Sequence, residues 1–288
     1  MIPLAKTKQP TIAIMYDFDK TLCTKDMQEY AFIPSLGMSA AEFWRESAEL
    51  SGAQKMDRIL AYLYLMVRKS RDSHVPIKRD RFVELGKSIE YFPGVEGWFD
   101  RIAAFAKEQG ATVEHYIISS GLKEIIEGCG IAKKFKEIYA CEFLYDENDT
   151  AAWPKLVVNY TTKTQFLFRV NKGVLDISDD DSLNRYLHDD DRRIPFRNMI
   201  YIGDGLTDVP CMKLVKVNGG QSIAVHPKGK KDTVAELLRD DRVDYVAVAD
   251  YSEDGDLDRL VRDIVRKMVA DDGLARLHRE QLRSVKKG

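Results

Sequence analysis

Short runs of apolar residues alternate along this chain with longer stretches in which apolar side chains recur every three or four positions. The runs are Ile12–Tyr16, Tyr116–Ile118, Met199–Ile202, Ser222–Val225 and Tyr245–Ala249. A short continuous apolar run bounded by turn residues predicts a strand buried on both faces, as in a parallel sheet. Between the runs lie helical stripes. Val95, Trp98, Phe99, Ile102 and Phe105 predict a helix that Gly110 ends, Lys163 opens another through about Val170, and Leu257–Val269 forms the last. Strands alternating with helices predict an α/β fold with a doubly wound parallel sheet, a Rossmann-like core. Two more strands, Tyr139–Asp146 and Ala152–Tyr160, flank Glu147-Asn148-Asp149 and predict a β-hairpin.

One segment breaks the alternation. Residues 24–91 carry helical signals and no strand signal. Thr24 is placed to cap a helix running toward Ala31, which Pro34 and Gly37 break. Ser39 and Glu42 have capping-box spacing and open a helix through about Leu50. Met56, Ile59, Leu60, Leu63, Met66 and Val67 predict a third, ending among Arg68, Lys69 and Arg71, and Ile77–Ile89 a fourth. The pattern divides the chain into an inserted all-helical domain, 24–91, and a core of 1–23 and 92–288.

Composition narrows the function classes. Forty-four basic and 46 acidic side chains give a net charge of -2, so no basic excess marks a nucleic-acid surface. The four cysteines are scattered without a Cys-x-x-Cys, which fits reduced thiols rather than a disulfide framework or zinc site. Met1–Pro10 is short and polar, and no stretch approaches the roughly 18 apolar residues that span a bilayer. The expectation is a cytoplasmic protein, monomer or homodimer, that engages neither membrane nor nucleic acid. Asp179–Asp181 and Asp189–Asp191 lie in a loop, 176–191, that lacks the central Gly of an EF-hand and reads as solvated, with a short helix inside. The basic stretches Arg68–Arg81 and Arg279–Lys287 likewise read as solvated.

The chemistry collects at the ends of three apolar runs. The first ends in Asp17 and Asp19, two apart on an extended chain and so able to face one spot. An Asx-turn closing the strand is the competing reading. The second ends in Ser119-Ser120-Gly121 before a helix, which suits an anion or a plain N-cap equally. The third ends in Gly203-Asp204-Gly205-Leu206-Thr207-Asp208, whose glycines allow a tight turn and whose spacing can turn both carboxylates toward one metal.

The ordered set Asp17-Phe18-Asp19-Lys20-Thr21, then Ser119, then Lys163, then Asp204 and Asp208 resembles the haloacid dehalogenase-like hydrolase superfamily. A helical insert just after the first motif and a hairpin before the Lys resemble its phosphoserine phosphatase-type branch. The resemblance implies a phosphomonoesterase acting on a small phosphorylated metabolite, with phosphoserine a candidate. It implies Asp17 as the nucleophile that forms an aspartyl-phosphate and Asp19 as general acid and base. Ser119 and Lys163 would hold the phosphoryl oxygens, with Thr21, Ser120 and Gly121 beside the substrate. Mg²⁺ would be the cofactor, on Asp17, Asp204 and the backbone carbonyl of Asp19, with Asp208 supporting it directly or through water, and the insert would be a cap. A cap Glu that meets the substrate amine in the serine-phosphate enzymes is Asp26 here, and Arg58 is the candidate for a cap Arg that meets the carboxylate. The same residues also suit a phosphotransferase, or a module that binds a phosphorylated ligand without turnover.

Overall fold

A computed structural model describes residues 9–188 and 191–285. Its centre is a seven-stranded sheet in the order β4-β3-β2-β1-β5-β6-β7. The strands are β1 (Thr11–Tyr16), β2 (Thr112–Leu122), β3 (Glu137–Tyr145), β4 (Ala151–Leu156), β5 (Met199–Gly203), β6 (Gln221–His226) and β7 (Tyr245–Val248). All pairs are parallel except β3 with β4, so the predicted hairpin is the sheet's antiparallel edge. Ile12–Tyr16 and all of β5 are buried, as strands covered on both faces must be. The chain leaves β1 for β2 on one side and later returns to β5 on the other. That reversal places a crevice at the carboxyl end of β1, where open α/β sheets bind ligands.

Between β1 and the first core helix the chain is helical: α1 (Phe32–Ser35), α2 (Ala40–Gln54), α3 (Arg58–Asp72) and α4 (Arg79–Leu85). Ser39 and Glu42 form the expected capping box. Thr24 caps nothing, because its Oγ1 is hydrogen-bonded to Tyr30 Oη, and the segment after it makes only a 3-10 turn, Met27–Glu29, before α1. The insert is tied to the core on both sides of α3. Tyr62 Oη donates to the Ser120 carbonyl at 2.6 Å. Behind it, α4 lies against α6 so closely that a Cβ on Gly128 would sit 1.7 Å from the Val83 carbonyl oxygen.

The core helices are α5 (Val95–Glu108), α6 (Lys123–Gly128), α7 (Lys163–Lys172), α8 (Asp180–Asn184), α9 (Val209–Val217), α10 (Asp232–Arg239) and α11 (Asp256–Val285). Helix α11 runs well past Val269, and α8 is the short helix expected in the acidic loop. Asp189 and Asp190 of that loop, residues 1–8 of the polar N-terminal stretch, and Lys286 and Lys287 of the basic tail lie outside the described residues. All four cysteines are buried and free. No helix among the described residues is long and apolar enough to cross a membrane.

A buried polar chain links α5 to the two central strands. Trp98 Nε1 donates to Tyr16 Oη at 2.8 Å, leaving the Tyr16 proton for His115 Nδ1 at 3.0 Å. Burial pushes the His115 imidazole down to about 4, so it is held neutral. In the unfolded chain the ring gains its proton near pH 6.5, whereas the folded chain resists until about pH 4. Stability therefore falls as pH falls through that window. The His115→Asn variant keeps a neutral hydrogen-bonding partner and loses the titration. Urea unfolding at pH 7 and pH 4 should show the wild type losing roughly 3 kcal/mol more than the variant. Equal losses would mean that His115 is protonated in the fold.

Candidate active site

The end of β1 is fixed before any side chain is considered. Asp17 N–H donates to the Ile202 carbonyl of β5 at 2.9 Å. The chain then turns, with the Leu22 N–H on the Phe18 carbonyl and Lys20 in the left-handed region at φ 56. This turn aims Asp17 and Asp19 into a cavity of about 440 Å³. The ends of β2 and β5 bring Ser119, Ser120, Gly121 and Asp204 to the same cavity, and the insert contributes Trp44, Arg58 and Tyr62.

Beneath the cavity lies Lys163, the first residue of α7 and fully buried. Its Nζ is 3.0 Å from Asp17 Oδ2 and 2.7 Å from Asp208 Oδ1. Tyr201 Oη donates to the same Asp208 oxygen at 2.8 Å. Asp208 Oδ2 is buried and has no hydrogen-bond partner. Asp17, Asp204 and Asp208 each offer an oxygen within 4.8 Å of the others. Three carboxylates with only two of them paired to an ammonium, and with one oxygen orphaned, make a donor set that suits a hard divalent cation such as Mg²⁺. Gly203 leaves room for this arrangement, since a Cβ there would lie 2.4 Å from Asp208 Oδ2.

The charges perturb one another as expected of such crowding. Burial, then Asp208, pushes the Asp17 carboxyl up to about 7, against the pull of Lys163. Burial, followed by Asp26 and Asp17, holds Asp19 well above the usual carboxylate range. Asp204 is raised by burial and by the neighbouring Asp208 and Asp17. Burial works against the Lys163 charge, but Asp17 and Asp208 outweigh it and its ammonium is held more firmly than usual.

The candidate residues take different places around the cavity. Ser119 and Ser120 cap no helix, because β2 continues to Leu122 and α6 begins at Lys123. Ser119 Oγ accepts the Gly121 N–H at 3.0 Å, and the buried Ser120 Oγ has no partner. Both hydroxyls keep a proton for an anion in the cavity. Lys163 does not line the cavity; it lies behind the carboxylates, paired with Asp17 and Asp208. Thr21 also lies beneath the cavity, fully buried, with its carbonyl held by Tyr251 Oη. The Asp19 side chain stands outside the three-carboxylate cluster, its Oδ1 accepting the Met27 N–H at 2.9 Å. Asp26 lines the cavity already paired, its Oδ2 holding Lys20 Nζ at 2.5 Å. Arg58 does line the cavity.

Sequence reasoning missed Tyr201, Trp44 and Tyr62. Each sits within an apolar stripe or run, so its hydroxyl or indole carried no separate signal.

If Lys163 is the counter-ion described, Lys163→Met strands buried carboxylates without their cation. Unfolding in urea at pH 7.5 should show a loss of about 3–5 kcal/mol, partly restored when Asp17→Asn is added. A Lys163→Met protein as stable as the wild type would contradict this geometry.

Known proteins similar to this chain share its fold along most of its length. An uncharacterized protein of Borreliella burgdorferi is 27% identical over 273 residues, spanning 85% of this chain and 93% of its own. A probable phosphoserine phosphatase from Vibrio cholerae shares the fold at a TM-score of 0.58 and 16% identity, over 92% of this chain and 67% of that one. A substrate-bound phosphoserine phosphatase shares it at 0.55 and 14% identity, over 83% and 93%. The family model described as haloacid dehalogenase-like hydrolase matches residues 14–213, from β1 through the residues that follow Asp208. That match covers well over half of the chain and all of the strand ends that meet at the cavity, so the chain belongs to the haloacid dehalogenase-like hydrolases.

Proposed function

We propose that this hydrolase is a Mg²⁺-dependent phosphomonoesterase that works through an aspartyl-phosphate on Asp17. The observation that carries the reading is the array of Asp17, Lys163 and Asp208 beneath the cavity, with Asp208 Oδ2 left unpaired. A phosphoryl group brings charge that must be matched by fixed cations and donors. Mg²⁺ held by Asp17, Asp204 and Asp208 would supply positive charge against the phosphoryl oxygens.

The chain's own residues account for the rest. Asp17 Oδ1 accepts the Phe18 N–H at 2.7 Å and Oδ2 faces Lys163, so the carboxylate is held in one orientation. A phosphorus in the cavity would be attacked by Asp17, forming the Asp17 O–P bond as the ester P–O bond breaks. The departing alkoxide takes a proton from Asp19. Water then attacks the phosphorus and gives a proton back to Asp19, and the Asp17 O–P bond breaks to release phosphate. Met27 N–H fixes one oxygen of Asp19, which keeps the other directed for both transfers. Ser119 and Ser120 donate their free hydroxyl protons to the phosphoryl oxygens. Trp44, Tyr62 and Arg58, from the insert, stand over the cavity as a cap and set the leaving-group side.

The purified protein should hydrolyse p-nitrophenyl phosphate with Mg²⁺ and lose that activity in EDTA. Asp17→Asn should lower turnover by at least about 1,000-fold while the fold, read by circular dichroism, is unchanged. Turnover that survives in Asp17→Asn would mean that another residue attacks.

A further inference from the structure

Four carboxylates line the cavity: Asp17, Asp19, Asp204 and Asp26. The first three belong to the reaction centre. Asp26 stands apart from them, at the start of the 3-10 turn that opens the cap. A lone carboxylate on a cavity wall is the natural partner of a ligand ammonium. Here the chain supplies that ammonium itself. Lys20, six residues earlier, donates from Nζ to Asp26 Oδ2 at 2.5 Å and lines the same cavity.

We propose that Lys20 is a specificity-determining residue that fills the ammonium position of the cavity, so that the substrates are phosphomonoesters whose leaving groups carry no ammonium. This rests on the phosphomonoesterase reading above and narrows its substrate class. Three observations favour it. The Lys20 side chain retains 48% of its exposure and Asp26 25%, so the pair stands at the cavity and not behind it. Lys20 is tethered, and a group closed on its partner through a short loop acts at an effective concentration of about millimolar, which a dilute free ammonium must outcompete. The remaining charged group on the cap side is Arg58, for which no hydrogen bond or ion pair is formed among the described residues. With Asp26 neutralised by Lys20, Arg58 leaves that side net positive. A cationic leaving group meets repulsion there, while a neutral or anionic one does not. Gln28 adds a buried amide oxygen without a partner, a further contact for an uncharged polar group.

The test uses two substrates of equal length, O-phosphoethanolamine and n-propyl phosphate, which differ by an ammonium in place of a methyl. Taking the ratio of their kcat/KM values within one protein cancels any effect of Lys20 on the chemistry itself. The wild type should favour n-propyl phosphate. Lys20→Met should shift the ratio toward O-phosphoethanolamine by about 10-fold or more, and adding Asp26→Asn should remove the shift. Lys20→Gln, which keeps a neutral donor for Asp26, reads the same ratio should Lys20→Met fold poorly. Hydrolysis of p-nitrophenyl phosphate by the wild type is measured alongside. Its absence would overturn the phosphomonoesterase reading and this inference with it. Its presence with an unchanged ratio in both Lys20 variants, or a wild-type preference for the ammonium substrate, would overturn the role of Lys20 alone.

Discussion

An ammonium with no exposed surface, Lys163, lies between carboxylates of two different strand ends. Taking such a charge out of water costs several kcal/mol unless partners of good geometry replace its hydration. Asp17 and Asp208 are those partners, and neither would be tolerable in this position without the Lys. Their mutual repulsion needs the cation, and the cation needs both of them. The register of β1 against β5 and the start of α7 are therefore coupled through one nitrogen atom. The sheet reversal at β1 creates the crevice, and this charge cluster determines what the crevice can hold.

The helical insert is anchored at the same place. Met27 N–H on Asp19 and Lys20 on Asp26 bind the first turn of the insert to the loop after β1. Tyr62 anchors α3 to the end of β2 through the Ser120 carbonyl. Each contact joins an insert residue to a residue at or just past a strand end, so the insert's side of the cavity is built on the loops that carry Asp17, Asp19 and Ser120. Asp26 and Met27 are adjacent, so the pairing with Lys20 and the hydrogen bond to Asp19 sit on one turn.

How much was legible in the sequence follows from the range of each interaction. The strands β1, β5 and β6 are continuous apolar runs because both their faces are covered, and the capping box at Ser39 is purely local. The carboxylates at the strand ends were legible because a period-two strand and a glycine-bearing turn limit where Asp17, Asp19 and Asp204 can point. What failed was set by contacts distant in sequence or hidden by type. Thr24 is claimed by Tyr30 instead of a helix end. Leu122 stays in β2 because its neighbour strand offers Cys141 as a partner. Helix α10 is only eight residues long between two strands, and α11 continues beyond its apolar face on residues with ordinary helix propensity. The pairing of Lys20 with Asp26 changes the meaning of both residues. The family resemblance offered Asp26 as a contact for a substrate amine and left Lys20 without a partner, because the turn that brings them together, with Lys20 in the left-handed region, leaves no mark on the hydrophobic pattern.

The claim on which the account turns is that Asp17 carries the phosphoryl group during turnover. The most direct measurement is to quench the protein with acid during steady turnover, reduce with borohydride, and map peptides by mass spectrometry. An acyl-phosphate on Asp17 is converted to homoserine by this treatment, whereas a free carboxylate is not. The account predicts homoserine at position 17 only when substrate and Mg²⁺ are both present. Steady turnover with Asp17 unmodified, or with the modification on another carboxylate, would contradict it.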